Sequence, residues 1–246
     1  MQTTPAATDI APARPSSTVV LLRQGEQRPE IFMVKRHERS SFGSAYAFPG
    51  GVLESSDRKV HSSCVGRSSA QANELLSVDN AGLDYFSAAV RELFEEAGVL
   101  LGSATMSASD LSDVRNQLND ESLSWEQFVA DSKLRIQCDQ LHYFSFWITP
   151  TAITKRYSTR FFLAQLPDGQ IATHDDGELT DSCWMSAQDA LEAGRAGQIR
   201  VHYPTRKNLE NMASYQTVDE LIDWADSCGK AGVPCIQPEE VPESER

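Results

Sequence analysis

Glu92, Glu95 and Glu96 are spaced so that one helical face carries all three carboxylates, because an α-helix repeats every 3.6 residues or so. Arg91 precedes Glu95 by four positions, within reach of an ion pair along the helix surface. Apolar Phe86, Val90, Leu93 and Ala97 recur on the other side as a core-facing stripe. Gly98 follows, able to take a left-handed cap conformation. Three carboxylates held together repel one another. A hard cation removes that cost, since carboxylate oxygens are the ligands that Mg²⁺ and Mn²⁺ prefer. The alternative is a solvated acidic face.

Upstream, Phe48-Pro49-Gly50-Gly51-Val52-Leu53-Glu54 reads as a turn whose paired glycines let the backbone come close to a ligand. With the later R-E-L-x-E-E-x-G-V, this turn resembles the Nudix hydrolase signature, G-x5-E-x7-R-E-U-x-E-E-x-G-U with U aliphatic. Gly51 matches the opening glycine, and Arg91, Glu92, Leu93, Glu95, Glu96, Gly98 and Val99 match the closing block. Two departures stand out. Asp57 occupies the first acidic position in place of Glu, and 33 residues separate it from Arg91 where the pattern has seven. The excess, residues 58–83, is expected to loop out, at a closure cost that grows only logarithmically with length.

The resemblance implies an α/β/α sandwich with a mixed β-sheet, here with extra helices, and hydrolysis of a nucleoside diphosphate derivative with Mg²⁺ or Mn²⁺. It implies Glu95, Glu96 and the Gly50 carbonyl as metal ligands, Glu92 as a further ligand or the general base, and Arg91 as the residue that holds Glu95. A further carboxylate on a late loop is expected at Glu178, with Asp176 and Asp175 behind it; an acidic turn is the competing reading. Arg36, Arg39 and Arg160 are candidate phosphate ligands, as arginine suits bidentate binding, although such charges are more often ordinary surface. The interrupted signature, the run Ala88–Leu101 and the segments W-I-T-P and R-F-F-L-A resemble the peroxisomal coenzyme A diphosphatase type. That branch implies cleavage of coenzyme A or acyl-coenzyme A to 3′,5′-ADP and (acyl)phosphopantetheine. ADP-ribose, dinucleotides, nucleotide sugars and a binding module without turnover remain open alternatives.

The elements that must position these residues follow from periodicity. Ser17–Leu22 and Ile31–Lys35 read as a hairpin-like strand pair, and Leu141–Thr149, Thr159–Leu166 and Cys183–Met185 as later strands. Helices are expected at Ser69–Leu76, Leu83–Ala97, Ser109–Asn119, Trp125–Asp131, Ala187–Ala193, Thr205–Ser214 and Val218–Ser227. His202-Tyr203-Pro204-Thr205 reads as a helix entry capped by Thr205, with no chemistry. One domain is expected over residues 17–226, with an insertion at 58–83, a helical elaboration at 105–135, a disordered tail at 1–16 and an acidic tail at 227–246.

A net charge of −13 argues against nucleic acid and anionic membranes, which need basic surface. A small anionic substrate held by metal and local arginines is compatible with it. Five scattered cysteines without a C-x-x-C pair indicate neither zinc nor a disulfide framework and fit a reducing cytoplasm. No run approaches the roughly 20 apolar residues of a membrane span. Homodimers, common among Nudix proteins, are a further expectation.

Overall fold

Val19, Val20, Leu21 and Leu22 are all fully buried, which requires a strand covered on both faces. The computed structural model describes residues 10–36, 45–175, 177 and 179–240. The chain opens with β1 (Arg14–Gln24), β2 (Pro29–Arg36), β3 (Tyr46–Ala47) and β4 (Gly50–Val52). Then come α1 (Ser55–Lys59), β5 (Cys64–Val65), α2 (Ser69–Leu76) and α3 (Gly82–Ala97). The middle holds β6 (Gly102–Ser103), α4 (Ala108–Asn119), α5 (Trp125–Asp131) and β7 (Arg135–Gln137). The rest is β8 (His142–Ile148), β9 (Tyr157–Gln165), β10 (Leu179–Ser186), α6 (Ala187–Arg195), α7 (Tyr203–Met212), α8 (Val218–Ala231) and β11 (Cys235–Ile236).

The main sheet runs β10-β2-β1-β9-β8-β11, with β3 beside β2 and β4 beside β1. It is mixed: β1 pairs parallel with β9 and antiparallel with β2 and β4. Side chains alternate across it, as strand geometry demands. Val19, Leu21, Phe32, Val34 and Phe162 join the core that contains α3, whereas Val20, Leu22, Ile31, Met33 and Leu163 join the core with α6, α7 and α8. Helices thus cover both faces, the expected α/β/α sandwich. No described helix is long and apolar enough to cross a membrane. All five cysteines are free.

The helices begin where capping chemistry puts them. Ser68, Ser107, Ser124 and Ser186 each accept an N–H of the first turn, satisfying donors that have no partner inside the helix. Gly98 ends α3 at φ 69°, the left-handed cap expected of it.

Four expectations need correction. Residues 58–83 are not an unpacked surface loop: α2 packs on α3, and Val60, Ala72 and Leu76 are buried in the same core. Strand β1 starts at Arg14, inside the expected tail, because residues 14–16 find ladder partners at residues 157–159 of β9. The stretch expected as a C-terminal tail carries the end of α8 and then β11, which adds to β8 in parallel. Finally, α7 begins at Tyr203, after His202 at the N-cap position, with Pro204 in its first turn, a favoured place for proline, so Thr205 lies inside the helix.

Candidate active site

Helix α3 presents Glu92, Glu95 and Glu96 to a cleft of about 950 Å³ that Gly50 and Gly51 also line. Its opposite side is held to the sheet by Phe86, Val90 and Leu93, all fully buried, and by the hydroxyl of Ser17, which donates to the Tyr85 carbonyl at 2.8 Å. At its C-terminal end, Arg115 Nε and Asn119 Nδ2 from α4 donate to the Glu95 carbonyl at 2.9 and 3.2 Å. The acidic turn therefore has a fixed position with respect to both the sheet and α4.

The paired glycines have separate reasons. Strand β4 runs against β1, with Thr18 opposite Gly50. A Cβ on Gly50, whose φ is 157°, would lie 2.4 Å from the Ser17 carbonyl oxygen. A Cβ on Gly51 would lie 2.3 Å from Glu92 Oε1. Gly50 lets the turn meet the sheet, and Gly51 leaves space for a carboxylate. The Gly50 N–H donates to Glu96 Oε2 at 2.9 Å, so the turn and the helix meet directly.

Arg91 is the centre of this assembly, 3% exposed and surrounded by acceptors. Its Nη1 donates to Glu92 Oε1 at 2.9 Å and to Glu95 Oε2 at 3.0 Å. Nη2 donates to the Val52 carbonyl at 2.9 Å. Nε and Nη2 each reach Asp57 at 3.2 Å. Asp57 is wholly buried and also accepts from the Glu54 N–H at 2.8 Å and the Ser87 hydroxyl at 3.1 Å. Ser87 in turn accepts from Trp125 Nε1 at 3.0 Å. One chain of hydrogen bonds thus joins α5, α3, α1 and Arg91.

The carboxylates are electrostatically strained. Burial, with Glu92 beside it and Arg91 opposing, pushes the Glu95 carboxyl up to about 8. Among the described residues no three acidic, histidine or cysteine side chains are grouped tightly enough to grip an ion as they stand. Glu92 and Glu95 turn to Arg91 and Glu96 to the Gly50 amide. The donor set itself, three carboxylates and backbone oxygens, is all-oxygen and fits Mg²⁺ or Mn²⁺ chemistry.

The remaining candidates divide. Asp175 lines the cleft, while Asp176 and Glu178 lie outside the described residues. Arg36 ends β2, paired with Leu179 of β10, and Arg39 lies outside the described residues. Arg160 is not a cleft residue, contrary to expectation. Its guanidinium is buried with the rings of Tyr85 and Phe146 each 4.3 Å away, and Nη2 donates to the Leu76 carbonyl at 3.0 Å. A β9 side chain at this register faces α2, so the cation fastens the inserted helix. Trp147 is core, whereas Tyr157 and Phe161 line the cleft.

Sequence reading missed several lining residues. Arg14, His202, Pro204 and Thr205 form part of one wall with Phe48, and Lys59, Leu118, Leu123 and Glu126 form part of another. No residue pattern marks them, since they converge only through the β1–β9 ladder and the packing of α1 against α5.

Residues 67–212 match the model of the NUDT19 Nudix domain family. Among curated proteins, the chain is similar to the acyl-coenzyme A diphosphatase NUDT19 of Xenopus laevis, 26% identical over 234 residues covering 78% of this chain and 62% of that protein. It is also similar to the Homo sapiens acyl-coenzyme A diphosphatase NUDT19, 27% identical over 149 residues covering 54% and 40%. The chain spans less than two thirds of the length of either. A solved Nudix hydrolase from Alicyclobacillus acidocaldarius shares the fold, with a TM-score of 0.71, 21% identity, and 87% of this chain and 97% of that one covered.

Proposed function

Because the chain belongs to the NUDT19 Nudix domain family, we propose that it hydrolyses a diphosphate linkage in a nucleoside derivative, with coenzyme A or acyl-coenzyme A as the substrate class. The observation that carries this reading is the convergence of Glu92, Glu95, Glu96 and the Gly50-Gly51 turn on one cleft, around Arg91. The resemblance of the interrupted signature to coenzyme A diphosphatases, and the name of the two relatives, support the substrate.

In this reading Glu95, Glu96 and the Gly50 carbonyl would hold a divalent cation. When bound there, such an ion would supply positive charge to offset the diphosphate oxygens and would lower the pKa of water. Glu92 supplies a further ligand or takes the proton of the attacking water, and Glu178 is the first choice for an added carboxylate. Arg91 keeps Glu92 and Glu95 in their rotamers and offsets their mutual repulsion, a supporting role. Hydrolysis adds one water across the P–O–P bond: the hydroxyl goes to the attacked phosphorus and the proton ends on the released phosphate. For coenzyme A the products are 3′,5′-ADP and phosphopantetheine.

The test is mass spectrometry of products after incubation with Mg²⁺ or Mn²⁺ and coenzyme A, acetyl-coenzyme A, ADP-ribose, NADH and UDP-glucose. Glu96→Gln runs in parallel. Formation of 3′,5′-ADP and phosphopantetheine, lowered at least about a hundredfold in the variant, is the expected result. Turnover of another compound removes the coenzyme A assignment, and no turnover with either metal removes the enzymatic reading.

A further inference from the structure

The cleft poses an electrostatic problem that its carboxylates do not solve. A diphosphate is polyanionic, and one wall of the cleft, built from α1, α4 and α5, already carries Glu54, Glu121 and Glu126. Among the described lining residues the basic side chains are Arg14, Lys59, Arg91 and His202. Arg91 has its donors committed to Asp57, Glu92, Glu95 and the Val52 carbonyl, and is buried. Arg14 and His202 belong to β1 and the start of α7. That leaves Lys59 as the described cation on the acidic wall.

Lys59 ends α1, two residues after Asp57. Asp57 is clamped to Arg91, so the short helix that carries Lys59 is fixed relative to the three glutamates. The Lys59 ammonium stands 2.8 Å from Glu126 Oε2 on α5, with side chains 55% and 47% exposed. Ion pairs this exposed are worth only about 0–1 kcal/mol, so a more highly charged partner displaces the carboxylate readily.

We propose that Lys59 is a substrate-binding residue, which leaves Glu126 to contact a phosphate oxygen of the incoming diphosphate compound. The assignment rests on the hydrolytic reading above and adds a contact outside the signature. Glu126 competes with the substrate for the ammonium, holding it at the cleft wall until an anion arrives. A lysine serves here because its flexible stem lets a point charge move between two acceptors. Helix α1 then contributes from both sides of one turn, an internal carboxylate, Asp57, that orients Arg91 and an external cation, Lys59, for substrate.

Steady-state kinetics on whichever diphosphate compound the protein hydrolyses, with Lys59→Met, Glu126→Gln and the double variant, test this. Loss of one charge-assisted contact raises KM about tenfold, with kcat within about twofold and the melting temperature unchanged. Glu126→Gln lowers KM, and the same change does nothing in the Lys59→Met background. An unaltered KM in folded Lys59→Met overturns the proposal while leaving the hydrolytic reading intact. If wild-type protein hydrolyses nothing, calorimetry with Mg²⁺ and inorganic pyrophosphate decides instead. Weaker binding by Lys59→Met upholds the contact without hydrolysis, and equal binding or none overturns it.

Discussion

Arg91 and Asp57 form a buried ion pair, Nη2 to Oδ2 at 3.2 Å, although 33 residues lie between them. The inserted segment departs and returns without separating the two halves of the signature, because this pair closes its base. Asp57 is one methylene shorter than the Glu of the usual pattern, yet it is satisfied from four directions and leaves no exposed surface.

Removing that carboxylate strands a buried guanidinium. Asp57→Ala is expected to cost about 3–5 kcal/mol in urea unfolding, the usual result of breaking a buried pair from one side. Asp57→Glu, which restores the residue of the wider pattern, is expected to destabilise by about 1–3 kcal/mol, since the added methylene has no space. A Glu variant as stable as the parent would show that the site has slack.

Glu95 makes the metal-free protein sensitive to pH. Its carboxyl sits at about 8 in the fold against an ordinary 4.5. Between these values the folded protein keeps a proton that the unfolded chain has released, so this residue lowers stability as pH rises from 4.5 to 8 and adds no slope above 8. If Glu95 ligates a divalent cation as proposed, that ion must expel the same proton, and Mg²⁺ affinity is expected to fall as pH drops below 8, by up to about tenfold per unit. Melting temperatures in chelator and calorimetric proton counts check both, and Glu95→Gln should flatten the stability slope.

The two signature glycines should fail in different ways. Gly51→Ala pushes a methyl into Glu92, so hydrolysis should fall at least about tenfold while the melting temperature changes little, the flexible carboxylate being free to swing aside. Gly50→Ala meets backbone at Ser17 and imposes an unfavourable φ, and is expected to cost at least about 1–3 kcal/mol of stability as well. Parallel unfolding curves and kinetics separate them.

Arg160→Met should leave KM for the substrate within about twofold of wild type and instead loosen the inserted helix. The Leu76 carbonyl loses its donor, an expected cost of about 1–3 kcal/mol, visible as faster amide exchange over residues 69–76. A large KM increase would return Arg160 to the list of phosphate ligands.

The acidic helix was legible in the sequence because three local signals agree there: a 3.6-residue apolar stripe, like charges on one face and a terminal glycine. Observed and expected bounds differ by one residue, Gly82 against Leu83. The helix expected at Ser69–Leu76 is also found with those bounds, and its Ser68 cap is seen only in the fold. Asp57 gave no such signal; its worth depends on Arg91, Ser87 and the Glu54 amide arriving together. Likewise β11 is two residues long and is a strand only because β8 offers an edge. Arg160 misled because strand charges read as surface, and only α2 covering β9 makes this one interior. Local pattern reports elements, while cleft membership is decided by long-range pairing.

The parallel ladder of β1 with β9 joins Arg14–Leu22 to Tyr157–Gln165, so the central pairing of the sheet spans 143 positions of sequence. During synthesis at about 5–20 residues per second, the first strand emerges roughly 7–30 s before its partner exists. Over that interval a run of apolar residues, Val19 to Leu22, has only β2 and the glycine turn to pair with. Parallel pairing at such separation is slow to nucleate and leaves strand edges open to other chains. Cellular yield should therefore depend on translation rate and on chaperones that hold extended apolar strands, more than on the stability of the finished domain.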